Sequence, residues 1–275
     1  MRTSPIGVFD SGYGGLTVLK ELVKVLPEHD FLYVGDNART PYGTRSFDVV
    51  YQYTLQAVKY LFNQGCPLVI IACNTASAKA LRNIQMLDLP GLAPDNRVLG
   101  VIRPSVEKVA EITTNGRVGV LGTIGTVASE SYPIELEKWS DGKINSTVQE
   151  ACPMWVPLVE NNEIDSEGAD YFVRKNIENI LVKDKDLDTL ILGCTHYPLL
   201  SEIIQKYVPK NIHLLKQGHI VAEKLVDYLK RHPEMESRLT KSGSMVFQTT
   251  ESAEIFEGKA ALFMERKVKA KTIHL

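Results

Sequence analysis

Two cysteines occupy equivalent places at the ends of two apolar runs in this 275-residue sequence. Residues 68–75 read LVIIACNT and place Cys73 behind a run rich in β-branched residues, and residues 190–196 read LILGCTH and do the same for Cys194. Such runs are typical of buried strands in parallel sheets, and α/β proteins bind ligands at the carboxyl ends of those strands. Both thiols are therefore expected at a ligand-binding edge.

The residues that follow Cys73 distinguish it from an ordinary buried cysteine. A cysteine inside an apolar core is usually inert, which is our interpretation of Cys66 and Cys152. Cys73, in contrast, is followed by Asn74 and Thr75, which begin a predicted helix. A thiol at a helix N-terminus has a lowered pKa, so we expect Cys73 to be reactive.

Cys194 has a proton-handling group close by in the sequence. Thr195 and His196 follow it directly, and an imidazole exchanges protons near neutral pH. The alternative is that His196 is a buried structural residue with no role in chemistry.

Two opposed thiols suit one kind of reaction better than others. A single cysteine beside a histidine suggests a nucleophile, as in proteases or amidases, but that chemistry leaves no reason for the second thiol. Two thiols across a cleft can invert a stereocentre, because one removes a proton from carbon and the other delivers a proton to the opposite face. We recognise no lysine in a pyridoxal-type setting, so the reaction would use no cofactor. The site would stabilise the developing carbanion electrostatically and by excluding water.

Two more polar segments follow predicted strands. Asp10 and Ser11 lead into the glycine-rich residues 12–15, which form either a site for a small anion such as a carboxylate or an ordinary helix cap. The segment matches neither a dinucleotide fingerprint nor a P-loop. Residues 35–43 read GDNARTPYG and form either a loop that contacts substrate or a turn with a surface Tyr42.

Strands and helices alternate along the chain, which predicts an α/β fold with doubly wound, mainly parallel sheets. In the first cycle, strands are predicted at residues 6–10, 30–34 and 67–72, and helices at residues 16–26, 47–64 and 75–86. Later strands are predicted at residues 98–102, 118–123, 212–215 and 245–249, and helical segments at residues 221–230 and 255–263.

The chain contains the same plan twice. Residues 6–11 resemble residues 118–123, and each segment begins a cycle that ends with one cysteine behind a strand. We therefore predict two pseudo-symmetric lobes with the active site in the cleft between them. Residues 1–97 and 209–275 form the discontinuous lobe with Cys73, and residues 98–208 form the lobe with Cys194.

The composition is that of an ordinary cytoplasmic protein. A net charge of -2 gives no indication of a nucleic-acid partner, and no apolar stretch approaches the roughly 20 residues that span a bilayer. Residues 1–5 lack the apolar region of a signal peptide. The four cysteines have no CxxC spacing, so we expect reduced thiols and no metal site. The sequence does not determine the oligomeric state, and a homodimer stays open.

Together, the polar segments resemble the motifs of the bacterial glutamate racemases. These motifs are residues 10–18 (DSGYGGLTV), 35–43 (GDNARTPYG), 72–76 (ACNTA), 152–160 (CPMWVPLVE) and 192–200 (LGCTHYPLL). The resemblance extends over nearly the whole chain. It implies two α/β lobes, no cofactor and interconversion of L- and D-glutamate, which supplies D-glutamate for peptidoglycan.

The resemblance also implies roles for individual residues. Cys73 and Cys194 would be the two proton donors and acceptors, and Asp10, His196 and Glu160 would support them. The substrate-binding residues that it implies are Asp10, Ser11, Pro41, Tyr42, Gly43, Asn74, Thr75, Thr195 and His196.

The sequence departs from the family pattern at two places. Asn37 stands where many members have Ser or Thr, and Gln217 with Gly218 stands where an acidic residue and a small hydroxyl residue are commoner. These departures leave the reaction unchanged and leave open the local loop contacts and any regulation, including activation by a cell-wall precursor.

Two alternatives remain at this point. One is a sister two-cysteine racemase that acts on aspartate or a hydantoin, although the full motifs around Tyr42 and Cys194 favour glutamate. The other is a non-catalytic amino-acid-binding protein with the same fold, against which the presence of both cysteines argues.

Overall fold

The structure is a computed structural model that describes residues 4–275. Residues 1–3 lie outside that range. They make up most of residues 1–5, for which the sequence predicts that no signal peptide is present. Among the described residues, no helix has both the length and the apolar character needed to cross a bilayer.

Ten strands occur in residues 4–275 and are all paired in parallel. In chain order, β1 to β10 are Ile6–Asp10, Phe31–Gly35, Leu68–Ile71, Arg97–Gly100, Arg117–Gly122, Ser146–Ala151, Thr189–Gly193, His213–Leu215, Met245–Thr249 and Ala270–Thr272.

Helices connect these strands, in agreement with the predicted alternation. In chain order, α1 to α14 are Gly15–Val25, Phe47–Asn63, Asn74–Lys79, Leu81–Asn83, Leu89–Leu92, Ile102–Ile112, Ile124–Ala128, Ser131–Trp139, Trp155–Glu160, Glu167–Lys183, Ser201–Tyr207, Gln217–Arg231, Pro233–Glu236 and Ala253–Met264. Single 3-10 turns cover Asn37–Arg39, Tyr42–Thr44 and Tyr197–Leu200, and a π-helical turn covers Ile84–Asp88.

The strands form two sheets with the same internal order. The first sheet runs β10-β9-β2-β1-β3-β4, and the second runs β6-β5-β7-β8. The order β2-β1-β3-β4 is therefore repeated as β6-β5-β7-β8, and β9 and β10 extend the first sheet beside β2. The chain passes from β1 to its neighbour β2 and then crosses back past β1 to β3, a strand order typical of doubly wound folds. The predicted fold class is confirmed.

The predicted lobe boundaries are wrong at two edge strands. The boundary after residue 97 assigned β4 to the second lobe, but β4 pairs with β3 in the first sheet. The boundary after residue 208 assigned β8 to the first lobe, but β8 pairs with β7 in the second sheet. Edge pairing is decided by tertiary packing, and short strands carry little sequence signal of their partner. With β4 and β8 exchanged, the four strands of the second sheet match four of the six strands of the first.

The local sequence explains the long helices next to the site. Leu16, Leu19 and Leu22 recur at helical spacing in α1 and are fully buried. At the start of α2, the hydroxyl of Ser46 accepts a hydrogen bond from the N–H of Val49. Such a side-chain cap satisfies one of the free backbone donors of a helix N-terminus.

Candidate active site

The carboxyl ends of both sheets border one small cavity. In each half, the next strand after the central strand (β1 or β5) lies on one side of it, and the strand after that lies on the other side. Such a change of direction leaves a crevice at the carboxyl ends of the strands, where α/β proteins bind ligands. The cavity has a volume of about 130 Å³. Ten residues predicted for the site line it: Ser11, Pro41, Tyr42, Gly43, Cys73, Asn74, Thr75, Cys194, Thr195 and His196.

Cys73 lies between the end of β3 and the start of α3. Its Sγ accepts a hydrogen bond from the N–H of Ala76 at 3.4 Å and lies 3.4 Å from the Oγ of Ser11. Burial raises the pKa of Cys73 to about 12, and the neighbouring Asp10 carboxylate adds to the effect. The expected lowering of the Cys73 pKa is therefore wrong. Loss of water around the sulfur outweighs the two hydrogen bonds at the start of a six-residue helix.

Cys194 directly follows β7 and faces a histidine–carboxylate pair. The Nδ1 atom of His196 lies 3.9 Å from its Sγ, and the Nε2 atom lies 3.0 Å from Oε1 of Glu160 at the end of α9. Burial alone lowers the pKa of His196, but the interactions with Cys194 and Glu160 outweigh burial and raise it to about 10. His196 is therefore an imidazolium at neutral pH, so it is more than a buried structural residue. Glu160 therefore contacts the ring nitrogen of His196 that does not face Cys194.

Asp10 lies behind the cavity wall. It is the last residue of β1, it is fully buried, and its Oδ1 accepts the N–H of Gly12 at 2.8 Å. Its Oδ2 has no hydrogen-bond partner among the described residues. Burial raises the pKa of Asp10, although the charge of His196 opposes this. The N-cap of α1 is Gly14, which has no side chain that could cap the helix, and Asp10 is hydrogen-bonded in the turn before it.

Gly14 lets the first lobe approach the Cys194 loop closely. A Cβ at Gly14 would lie 2.2 Å from Oγ1 of Thr195 and 2.5 Å from Nδ1 of His196, so no larger residue fits. The hydroxyl of Thr17, which is three residues after Gly14, donates to the carbonyl of Thr195 at 3.0 Å. The start of α1 thus holds the loop that carries His196.

The loop between β2 and α2 is organised by a buried carboxylate. Asp36 is fully buried and accepts hydrogen bonds from Tyr42, from Arg39 at 2.7 Å and from Thr250 at 2.8 Å. Tyr42 is also buried, so the alternative of a turn with a surface tyrosine is wrong. Asn37, a departure from the family pattern, is buried as well and accepts a hydrogen bond from Thr249 on β9.

Hydroxyl groups join the two halves at the cavity. The Oγ1 of Thr75, at the start of α3, lies 2.8 Å from Oγ1 of Thr123 and 3.3 Å from Oγ1 of Thr126, at the start of α7. On the other side of Thr123, a Cβ at Gly43 would lie 2.9 Å from the Thr123 Cβ. The two lobes are therefore in direct contact at this edge.

Sequence reasoning missed eight lining residues. They are Thr40, Thr44, Thr123, Ile124, Cys152, Pro153, Val156 and Pro157. Thr123 could have been found, because it is the counterpart of Ser11 in the two similar segments. Cys152 was interpreted as inert core; it is buried, and its Sγ lies 3.7 Å from the carbonyl oxygen of Glu150. Ile124 and Val156 have no polar atom that would mark them in a sequence.

The arrangement presents two thiols in different environments to one small space. None of the described residues that line the cavity is acidic, and the donors among them are hydroxyl, amide and imidazolium groups. In residues 4–275, no three His, Cys, Asp or Glu side chains are grouped so that they could hold a metal ion. Such a site can accept an anionic small molecule and move protons at a carbon held between the sulfurs.

Comparisons with known proteins agree with this chemistry. A family profile described as Asp/Glu/Hydantoin racemase matches residues 6–225. The glutamate racemase of Persephonella marina is 44% identical over 205 residues, which are 74% of this chain and 74% of that protein.

Solved structures of glutamate racemases have the same fold over the full chain. Glutamate racemase isoform RacE1 from Bacillus anthracis superposes with a TM-score of 0.89 at 32% identity, covering 100% of this chain and 99% of that one. Glutamate racemase from Francisella tularensis in complex with D-glutamate superposes with a TM-score of 0.86 at 30% identity, covering 100% and 98%. From its sequence and its fold, this chain belongs to the Asp/Glu/Hydantoin racemase family.

Proposed function

We propose that this protein is an isomerase that interconverts L-glutamate and D-glutamate without a cofactor, with Cys73 and Cys194 as the two acid/base groups. The observation that carries the proposal is that both thiols line one small cavity together with His196. The glutamate racemases that match this chain over most of its length support the choice of substrate.

In the mechanism that we propose, the two thiols start in opposite protonation states. Cys73 is a thiol at neutral pH because burial raises its pKa to about 12. Cys194 has the His196 imidazolium 3.9 Å away, which provides its thiolate with a charged hydrogen-bond partner. In this form of the proposed mechanism, Cys194 acts as the base and Cys73 as the acid.

One turnover reverses these states. The Cys194 thiolate takes the α-proton from one face of glutamate, and the Cys73 thiol gives its proton to the opposite face. The enzyme then has a thiol at Cys194 and a thiolate at Cys73, which is the form that acts on the other enantiomer. The ammonium group of the substrate stays protonated and helps to stabilise the carbanion.

The remaining wall groups hold the substrate. Hydroxyl and amide donors on Ser11, Asn74, Thr75 and Thr195 bind its carboxylates, and the loop with Tyr42 borders the same space. Asp10 does not line the cavity, and we assign it a supporting electrostatic role because its Oδ2 has no hydrogen-bond partner among the described residues. Apolar side chains, among them those of Ile124 and Val156, form part of the wall and reduce the water around a bound substrate.

Loss of optical activity tests the function directly. Purified protein incubated with D-glutamate should remove its circular dichroism signal, and the same should happen with L-glutamate. Aspartate and a hydantoin serve as competing substrates. If D-glutamate keeps its signal while aspartate or the hydantoin loses its own, the substrate assignment is wrong; if none changes, the protein is not a racemase.

Cysteine variants test the two-base assignment. Cys73→Ala and Cys194→Ala should each lower the racemisation rate by about a thousandfold or more, because each removes one proton donor and acceptor. Cys66→Ala is the matched control, since Cys66 is a buried thiol away from the cavity and its variant should keep full activity. Full activity in either site variant would contradict the assignment.

The chemistry also indicates a cellular role. All four cysteines are free within residues 4–275, which suits a reducing compartment, and we place the protein in the cytoplasm. There it would supply D-glutamate for peptidoglycan synthesis. Depletion of the protein should make growth dependent on added D-glutamate, whereas growth without that supplement would argue against this role.

A further inference from the structure

A buried glutamine outside the cavity is bonded to a residue on the cavity wall. Gln217 is the first residue of α12, and only 3% of it is exposed. Its Oε1 accepts a hydrogen bond from Nδ2 of Asn74 at 2.7 Å. Gln217 itself does not line the cavity, so any effect on a ligand passes through Asn74.

One assignment of the hydrogens around Gln217 satisfies every polar group there. Ser105 gives its only hydroxyl hydrogen to the carbonyl of Val101 at 2.8 Å, and Tyr132 gives its own to Oδ1 of Asn74 at 2.7 Å. Both hydroxyls must therefore accept from Nε2 of Gln217, which lies 2.7 Å from each. An amide has two N–H donors and a carbonyl acceptor, and the three groups around Gln217 need all of them.

Three of these side chains form a closed ring. Asn74 donates to Gln217, Gln217 donates to Tyr132, and Tyr132 donates to the carbonyl of Asn74. Flipping the Asn74 amide alone would break two of the three bonds, and the carbonyl of Val101, 3.3 Å from Nε2 of Gln217, favours the nitrogen of the Gln217 amide on that side. One N–H of Asn74 is used in the ring, and the second remains for the cavity that Asn74 lines.

We propose that Gln217 is a positioning residue for substrate binding, which holds the amide of Asn74 so that its free N–H points to a substrate carboxylate. This inference rests on the proposed function. The three elements that meet in the ring also belong to different parts of the fold, with Asn74 on α3, Tyr132 on α8 and Gln217 on α12. Orientation of Asn74 is therefore set by packing between the halves.

In this chain, the groups around Gln217 match a neutral amide. In a Gln217→Glu variant the ionised carboxylate could still accept from Asn74, but it has no hydrogen for Ser105 and Tyr132. Tyr132 would turn its hydrogen to the carboxylate and leave Oδ1 of Asn74 without a donor. A protonated carboxyl restores one donor, and burial raises the pKa of such a group toward the range where activity can be measured.

Steady-state kinetics of two variants test the inference. Gln217→Leu should raise the KM for both enantiomers about tenfold while kcat falls by a smaller factor, because the lost contact acts on substrate binding. Gln217→Glu should also be impaired, and its activity relative to the unchanged protein should rise as the pH falls. A kcat/KM of Gln217→Leu within about twofold of the unchanged protein, or a pH-independent ratio for Gln217→Glu, would overturn the inference.

Two further variants separate positioning from general stability. Gln248→Leu removes another buried glutamine, on β9 and away from the cavity, and should leave KM unchanged. If Gln217→Leu does not fold, Tyr132→Phe keeps the ring shape, removes the hydrogen bond to Asn74 and should raise KM in the same direction. An unchanged KM in Tyr132→Phe would also overturn the inference.

The same assays distinguish this inference from the proposed function. If the unchanged protein does not racemise glutamate, the proposed function fails whatever Gln217 does. If the unchanged protein is active and the Gln217 variants are equally active, only the positioning role fails.

Discussion

At the scale of single residues, the two cysteines differ because their neighbours differ in charge. Cys73 has the carboxyl of Asp10 nearby, which favours its neutral thiol, whereas Cys194 has the imidazolium of His196. An enzyme that works in both directions needs one acid and one base at the start of each turnover. In the proposed mechanism, these neighbours favour Cys73 as the acid and Cys194 as the base.

The pH profile of a Glu160→Gln variant tests this electrostatic arrangement. Glu160 is one of the groups that raise the pKa of His196 to about 10, so its loss should lower that pKa toward the ordinary 6.5. Because the pKa of His196 is raised, its imidazolium persists until the pH rises above about 10. The alkaline fall of kcat/KM should therefore move to lower pH by about one unit or more in Glu160→Gln.

The neighbouring Glu163→Gln is the control for that experiment. Glu163 is exposed and forms no ion pair with His196, so its variant should keep the alkaline limb of the unchanged protein. If the alkaline limb of the kcat/KM profile does not shift in Glu160→Gln, the charge of His196 does not depend on Glu160.

At the scale of elements, the strand that carries Cys194 is held at its start by another carboxylate. Asp188 precedes β7 and accepts hydrogen bonds from the backbone N–H groups of Thr114 and Asn115, at 2.6 and 2.9 Å, and from the hydroxyl of Thr113. Burial alone would raise the pKa of Asp188, but these bonds outweigh burial and hold it at about 2, below the ordinary 3.8. The carboxylate joins β7 to the turn between α6 and β5.

An Asp188→Asn variant should be less stable in a pH-dependent way. A lowered pKa in the folded protein means that the carboxylate stabilises the fold above about pH 4 and loses this effect as the pH falls toward about 2. Urea unfolding near neutral pH should show a loss of about 1–2 kcal/mol in the free energy of unfolding. The difference from the unchanged protein should shrink as the pH is lowered through that window.

Asp186→Asn provides the comparison, since the side chain of Asp186 is exposed in the same loop. It should change the unfolding free energy by less than about 0.5 kcal/mol. A loss in Asp188→Asn that stays constant down to the lowest pH would mean that the charge of Asp188 has no part in the effect.

Elements were predictable where the sequence carries a periodic signal. β1 and β9 lie where the apolar runs placed them, and α2 differs from its prediction by one residue. The helix predicted over residues 75–86 is instead broken, because Ala80 has a φ of -120° outside the helical range and separates α3 from α4. No glycine or proline marks that break, so only packing in the folded protein reveals it.

The site shows the same division between local and tertiary information. Cys73, Cys194 and the polar residues behind each strand were predictable, since strand ends concentrate ligand-binding groups. The sign of the Cys73 pKa shift was not, because it depends on how much water the folded lobes remove. Gln217 was noticed only as a departure from a pattern, and its contact with Asn74 spans 143 positions along the chain.

At the scale of the whole molecule, the two sheets repeat one strand order, and each half contributes one cysteine to a shared cavity. The halves also touch through hydroxyl pairs such as Thr75 and Thr123, and through the hydrogen bond from Thr17 to Thr195. A substrate bound between them contacts both halves at once. Ligand binding should therefore stabilise the molecule as a unit.

Thermal unfolding in the presence of glutamate tests this view of the molecule. A ligand that binds only the folded state at about 100 times its Kd adds about 2.7 kcal/mol, which raises Tm by about 5 °C for a chain of this size. D-lysine is the control, because its cationic side chain meets no acidic group among the described residues that line the cavity. An equal shift with D-lysine would contradict an anion-selective cavity. A glutamate shift limited to one of two separate unfolding transitions would contradict binding between the halves, because a ligand that bridges them must stabilise both.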